Sequence, residues 1–250
     1  MRQWANEAME GGQPLTLTGE VAKRLTRVLR LGVGDTFVAL DGEGGEYLLE
    51  IVSVGGKSVV VEQRRGGASL PALAVSREPS LRLTVAQAIP KGQKMDLVVQ
   101  KCVELGVARL VPMMTERTVV HLDAGAGSKH ARWQRIAEEA AAQCGRTRVP
   151  EVAAPQTLTD ALGLCAEVDA CLLLDESEQT TRLRDALHGL PQARNIALLI
   201  GPEGGFSPSE VQAAHRNGAQ SVSLGPRILR TETAAMVTAA LILYHYGDLG

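Results

Sequence analysis

The sequence predicts an α/β protein. It reads as a parallel sheet with interleaved helices over residues 76–250, preceded by a small β-rich domain over residues 1–75. Two observations carry this reading. From residue 81 onward, short apolar runs alternate with segments of helical apolar spacing, the pattern of β-α units whose strands lie parallel. Before that, three runs rich in Val, Leu and Ile follow one another with only turn residues between them, which suits a small antiparallel barrel or sandwich. A stretch containing Gly, Pro and Ser, residues 65–80, separates the two patterns and marks the domain boundary.

In the first domain the strands are residues 36–40, 46–54 and 58–62, joined by the turns DGEGG and GGK. Residues 19–30 read as one or two helical turns. In the second domain residues 81–88 form a strand. Residues 94–105 form a helix ended by Gly106, a residue type that readily takes the left-handed conformation closing a helix. A strand at 107–111 and a helix at 129–144, ended by Gly145, follow. Then come a helical segment at 157–165, a strand at 170–174, and a helical segment at 181–188. A strand at 196–200, a helix at 207–217, a strand at 221–224 and a helix at 233–246 complete the chain.

At 250 residues, with 45% hydrophobic and 22% charged residues, the chain can bury a sizeable core and is not of disordered composition. Aromatics are 3%, so that core is built from Ala, Leu and Val. The first twelve residues lack the apolar run of a secretory signal, and the longest apolar segment, 234–246, is too short to span a bilayer. Four cysteines without CxxC spacing or a paired His cluster indicate neither zinc nor a disulfide framework. The expectation is a cytoplasmic protein without metal or membrane partner. Net charge is −2, yet residues 76–150 carry twelve Lys and Arg against seven Asp and Glu, and residues 151–250 carry six against twelve. A local basic excess fits an anionic partner such as nucleic acid, and an evenly solvated surface is the plainer reading.

The chemistry concentrates in two loops. In LIGPEGGFSPSEV, Leu199 to Val211, Ser207 and Glu210 form a capping box with Pro208 in the first helical position. The GPEGG segment therefore joins the carboxyl end of a strand to a helix start, where open α/β sheets bind ligands. Gly201, Gly204 and Gly205 let the backbone approach a ligand closely, Pro202 stiffens the turn, and Glu203 stands at its rim. The second loop, LGPRILRTET, Leu224 to Thr233, again begins with Gly-Pro and opens a helix, with Arg227, Arg230 and Glu232 supplying charge. Two such loops on one sheet edge form one pocket. Taken singly, each is an ordinary turn, and Glu232 merely suits a helix N-terminus. Ile51 stands where the first glycine of a phosphate loop would be, and GVG at 32–34 lacks the third glycine of a dinucleotide site.

Together these loops closely resemble those of the bacterial small-subunit ribosomal RNA uridine-N3 methyltransferases, the RsmE family of the SPOUT superfamily. KGQKMDLVVQKCVELGV (Lys91 to Val107), EEAAAQCGRTRVPEV (Glu138 to Val152), VLRLGVGD (Val28 to Asp35) and the terminal GDLG resemble it too, so the likeness covers nearly the whole chain. The start departs: MRQWANEAMEGGQPLTLTG replaces a short segment with Arg-x-Phe, and Lys23 and Arg24 stand where a His often precedes VLR. The resemblance implies a PUA-like β-barrel followed by a SPOUT methyltransferase domain with a C-terminal trefoil knot, whose loops would be 172–177, 201–205 and 224–230. It implies S-adenosyl-L-methionine as cofactor, held by Leu174, Ile200, Gly201, Pro202, Glu203, Gly204, Gly205, Leu224, Gly225, Ile228, Leu229, Arg230 and Thr233. It also implies a homodimer with the last helix near the partner, where Ala234, Ala235, Ala239 and Ala240 fit close helix packing, as they equally fit a plain core helix.

The implied reaction methylates N3 of a uridine in 16S rRNA of the small ribosomal subunit. N3 carries a proton on the Watson–Crick edge, so the base must be unpaired or extruded. Arg230 would stabilise the uracil anion, and Glu203 or Glu232 would accept the proton. Cys102 and Cys144 are not needed, because deprotonated N3 is itself a nucleophile. RNA contacts are assigned by charge to Lys23, Arg24, Arg27 and Arg30, and to Arg132, Arg135, Arg146 and Arg148. Three alternatives remain open: methylation of another rRNA or tRNA position, a non-catalytic RNA-binding module, and a metabolic enzyme binding a small anion at GPEGG.

Overall fold

The computed structural model describes residues 2–4, 14–42, 44–63, 78–119 and 126–250. The chain divides into two units, Met1–Glu78 with Ala141–Val149, and Pro79–Ala140 with Pro150–Gly250. Most of the stretch read as the domain boundary, residues 65–77, lies outside the described residues.

The first unit holds a five-stranded sheet formed by β1 (Arg2–Trp4), β2 (Leu15–Thr18), β3 (Thr36–Leu40), β4 (Glu46–Val54) and β5 (Ser58–Gln63). Its order is β1-β3-β4-β5-β2, antiparallel throughout except for the parallel β1–β3 pair. Side chains of a strand alternate between faces, and here Phe37, Ala39, Leu49, Ile51, Val59 and Val61 all fall on the buried one. A bulge between Ile51 and Ser53 bends the long β4. Helix α1 (Gly19–Lys23) runs on into a π-helical turn, Arg24–Val28, and closes the core with Ala22 and Leu25. Strands β1 and β2 have no counterpart in the sequence reading. Each is four residues or fewer, too short to show a period.

The second unit contains β6 (Arg82–Ala88), α2 (Lys94–Leu105), β7 (Arg109–Met114), α3 (Ala126–Cys144) as far as Ala140, its last residues being counted with the first unit, β8 (Glu151–Val152), β9 (Gln156–Thr157) and α4 (Leu158–Ala161). It continues with β10 (Ala170–Leu174), α5 (Leu183–His188), β11 (Asn195–Ile200), α6 (Pro208–Arg216), β12 (Ala219–Val222) and α7 (Thr231–His245). The sheet order is β12-β10-β11-β6-β7, with β8 and β9 both added to the far edge of β7, and every pair is parallel. Helices cover both faces of such a sheet, which is why β11 is apolar without alternation and Ile196 to Ile200 are all buried. Helix α7 packs against α2, β6 and β11.

Element positions differ from expectation where a tertiary partner sets the register. Val107 still donates its N–H to the Cys102 carbonyl of α2, so β7 starts at Arg109 rather than 107. The helix expected at 157–165 is α-helical only over Leu158–Ala161 and then tightens to a 3₁₀ turn, Leu162–Ala166. The last strand lies at Ala219–Val222 instead of 221–224, because it pairs residue for residue with Cys171 to Leu174 of β10. The chain leaving it is bracketed by one loop. Val222 O accepts from Asp175 N at 3.1 Å, while Ser223 exchanges bonds with Thr181 (2.9 Å) and Leu183 (3.0 Å). Successive strand residues direct their polar groups to opposite sides, so the loop from Asp175 to Leu183 lies on both sides of this segment.

Candidate active site

The loops following β10, β11 and β12 meet at the carboxyl edge of the sheet and enclose a cavity of about 1170 Å³. Strand β10 separates β11 from β12, so its loop forms a third wall between the two that the sequence motifs mark. Every residue expected to hold the cofactor lines this cavity except Gly204 and Thr233. Of the catalytic candidates, Arg230 and Glu203 line it and Glu232 does not.

The shape of the Gly-Pro-Glu-Gly-Gly loop is set by its contacts. A Cβ on Gly201 would stand 3.2 Å from the Gly205 carbonyl carbon and 3.3 Å from its Cα, so the two glycines touch backbone to backbone. Gly205 has φ +67° and closes the turn by donating its N–H to Pro202 O at 3.0 Å. Behind the loop, Thr231 Oγ1 donates to Gly201 O at 2.6 Å and accepts from Gln87 Nε2 at 2.9 Å, joining β6, β11 and α7. The capping box is formed: Ser207 Oγ accepts from Glu210 N at 3.3 Å, and Glu210 Oε2 from Ser207 N at 2.8 Å.

Sequence reasoning named the loop 172–177 without giving its carboxylates a role, and it assigned no role to Lys94 or Arg117. Lys94, at the start of α2, places Nζ 3.1 Å from Glu203 Oε1 and 3.4 Å from Glu232 Oε2. Its hydrogen bond to Glu203 outweighs partial burial and, with the charges of Glu232 and Glu203, raises its pKa. Burial pushes the Glu203 carboxyl up. Its own backbone N–H, the Lys94 hydrogen bond and the Lys91 N–H together hold it below the usual glutamate range. Arg117, after β7, donates from Nη1 to Gly204 O at 2.6 Å, so that carbonyl is already engaged within the protein. Asp175, Glu176 and Glu178 add carboxylates from the β10 loop. The Thr180 hydroxyl and the Thr181 and Thr180 N–H groups lower Glu178 to about 2. Lys94 lies in the family-like stretch 91–107, but nothing local assigns it or Arg117 to the site, since each reaches it from a different β-α unit. Ser221 lies between His215 (2.8 Å) and Asp175 (3.4 Å), so serine rather than histidine stands in the middle and the order is not that of a Ser-His-Asp relay.

The basic residues assigned to RNA separate into groups. Lys23, Arg24, Arg27 and Arg30 are exposed on α1 and the turn after it, as is Arg148 in the same unit. Arg132 is paired with Asp96, and Arg135 stands 3.7 Å from Glu139. Arg146 is not presented to solvent. It is 5% exposed, and its Nε and Nη2 donate to Glu78 Oε2 at 3.1 and 2.7 Å. Cys102 is buried, which pushes its thiol up to about 12, and neither it nor Cys144 lines the cavity. Among the described residues no group of His, Cys, Asp and Glu is arranged to hold a metal, and no helix is long and apolar enough to cross a membrane.

The family model described as RNA methyltransferase domain matches residues 77–243, and one described as RNA methyltransferase PUA domain matches residues 17–63. Fold and site thus define an RNA methyltransferase with a PUA domain ahead of it. The chain is 30% identical to the ribosomal RNA small subunit methyltransferase E of Bacillus subtilis, over 95% of this chain and 93% of that one. Against the protein of the same name from Synechocystis the identity is 36%, over 91% and 72%. Among solved structures, a Legionella pneumophila methyltransferase in complex with the cofactor SAM superposes with a TM-score of 0.84 at 37% identity, covering 97% and 96% of the two chains. A ribosomal RNA small subunit methyltransferase E from Neisseria gonorrhoeae bound to S-adenosyl methionine gives 0.82 at 29%, with the same coverage. The chain belongs to the ribosomal RNA small subunit methyltransferase E family.

Proposed function

We propose that this protein transfers a methyl group from S-adenosylmethionine to N3 of a uridine in 16S rRNA, acting as a homodimer on the small ribosomal subunit in the cytoplasm. The observation that carries the reading is the backbone-lined cavity at the strand ends. Gly225 takes φ +107° with open space where a Cβ would be, and Gly201 and Gly205 approach each other without side chains. Such close backbone approach suits a nucleoside held by main-chain groups, and solved relatives carry that cofactor. The bracketing of Ser223 by the β10 loop supports the trefoil-knot reading. The bound cofactor would supply an electrophilic methyl carbon on a sulfonium.

Arg230, at the cavity wall, would face the uracil anion, and a carboxylate would receive the N3 proton. Residues 76–250 would perform the transfer, and residues 1–75 would bind RNA through Lys23, Arg24, Arg27 and Arg30, joined by Arg132, Arg135 and Arg148. Dimerisation is supported by Val237, Leu241 and Tyr244, exposed apolar residues at helical spacing on one stripe of α7. Leu241→Asp should convert a dimer to a monomer in sedimentation experiments. An unchanged mass would remove α7 from the interface.

Labelled S-adenosylmethionine, incubated with small subunits lacking the modification, should yield 3-methyluridine as the one labelled nucleoside. Label elsewhere, or none, would withdraw the substrate. Gly201→Val would press a branched side chain on the Gly205 backbone and the Phe206 ring, already 3.2–3.3 Å from a Cβ there, and cofactor affinity measured by calorimetry should fall by at least about tenfold as the loop gives way.

A further inference from the structure

We infer that the two carboxylates left equivalent by the sequence do different work: Glu203 faces the cavity as the proton acceptor, Glu232 is a buried counter-ion, and Lys94 is the positioning residue between them. The inference rests on the function proposed above and assigns groups within it. Glu203 lines the cavity, and its Oε1 is held by Lys94 Nζ and by Lys91 N, both at 3.1 Å. Glu232 lies behind that wall. It is 8% exposed, and its Oε2 has no hydrogen-bond donor among the described residues, with Lys94 Nζ as its ion-pair partner at 3.4 Å. A buried carboxylate needs a fixed cation, and a cation so held cannot swing away from the second carboxylate it grips. The pair on α2 and α7 therefore aims Glu203, which sits on a loop and would otherwise sample many rotamers.

In the step, the uracil N3–H bond breaks and its proton passes to Glu203. The electron pair left on N3 forms the bond to the methyl carbon while the carbon–sulfur bond of the sulfonium breaks, leaving a neutral thioether. The charged groups near Glu203 include Lys94 from α2 and Arg117 from the loop after β7, which binds the neighbouring Gly204 carbonyl, while Lys91 contributes its main-chain N–H. Glu176, Asp175 and Glu178 from the loop after β10, with Arg182, Arg227 and Arg230, line the same cavity, and Glu232 shares Lys94 with Glu203. Activity needs Glu203 ionised, so it is lost as pH falls through the lowered Glu203 value. Removing Lys94 takes away a hydrogen bond and a charge that lower it, and the acid limb must then move to higher pH.

The test compares Lys94→Met, Lys94→Arg, Glu203→Gln and Glu232→Gln by single-turnover methylation of small subunits across pH, with cofactor affinity and thermal unfolding measured alongside. Lys94→Met should lose about 10²-fold in rate, the effect of a misplaced group, with its acid limb raised. Lys94→Arg should restore both the limb and most of the rate. Glu203→Gln should lose about 10²–10⁴-fold, as for removal of a general base, and Glu232→Gln about tenfold or less. An unmoved limb in Lys94→Met, or equal losses in the two glutamine variants, would overturn the assignment. If Lys94→Met does not fold, the two glutamine variants and Lys94→Arg decide alone. Failure of the native protein to form 3-methyluridine would instead overturn the proposed function, so the two failures are distinct.

Discussion

Replacing Arg230 with alanine is expected to slow methyl transfer by about 10²–10³-fold, the range for loss of one preorganised oxyanion donor, while S-adenosylmethionine binds within a few-fold of its native affinity. The backbone at this position is held independently of the side chain. Arg230 caps α7 with φ −64° and ψ 148°, and its carbonyl accepts from Ala234 N at 2.8 Å. The side chain is exposed at the cavity wall and has no partner among the described residues, so truncation breaks no ion pair. What it removes is a cation beside the cavity. Deprotonated uracil spreads its charge over N3 and two carbonyl oxygens, and a guanidinium brought against it favours that charge more than the neutral base. Single-turnover rates and calorimetry on the same variant check the prediction. Equal loss of rate and affinity would make Arg230 a cofactor-holding residue. Arg230→Lys should recover only part of the rate, since an ammonium lacks the planar fork of donors.

Arg146→Ala should destabilise the first unit by about 3 kcal/mol, the lower end of the cost when a buried ion pair loses one partner. The Arg146 side chain is 6% exposed and that of Glu78 is 17% exposed, so some solvent reaches the carboxylate left behind. Glu78 Oε1 also accepts from Thr147 N at 2.9 Å and Arg148 N at 3.1 Å, so the pair organises the 141–149 segment within that unit. Burial pushes the Glu78 carboxyl up, but the Arg146 hydrogen bond and charge and these N–H groups outweigh it and hold it below the ordinary glutamate value of 4.5. Stability from this group is therefore complete above about that value and is lost as pH falls through the lower folded value. Native protein should lose stability on acidification in that window, and Arg146→Ala should show a flatter profile in denaturant titrations. A phosphate-binding Arg146 would behave otherwise. Its loss would leave stability intact and reduce the salt dependence of RNA binding.

Much of the second unit was legible because its signals are local. Helix α2 ends at Leu105 as read, since Gly106 takes φ +110° and Schellman-type closure needs only the preceding turn. The capping box of Ser207 and Glu210 spans four residues and forms as written. Most of the cofactor residues carried over by resemblance reached the cavity because they lie in two short loops whose glycines and prolines announce them. Strand β12 was misplaced by two residues because its own sequence, AQSV, is weak and its register belongs to β10.

By itself, then, the sequence determined what depends on residues within a turn or two of each other: strand and helix alternation, helix caps, and the two glycine-bearing loops. The tertiary structure alone decided which loops share a cavity, for strand order β12-β10-β11-β6-β7 is not chain order. It brought Lys94 to Glu203 across 109 positions and sent Arg146 inward to Glu78 across 68. Local dihedral preferences act over a few residues and are written in adjacent side chains. Long-range pairing of charges depends on which surfaces burial forces together, and that is settled only when the whole sheet has assembled.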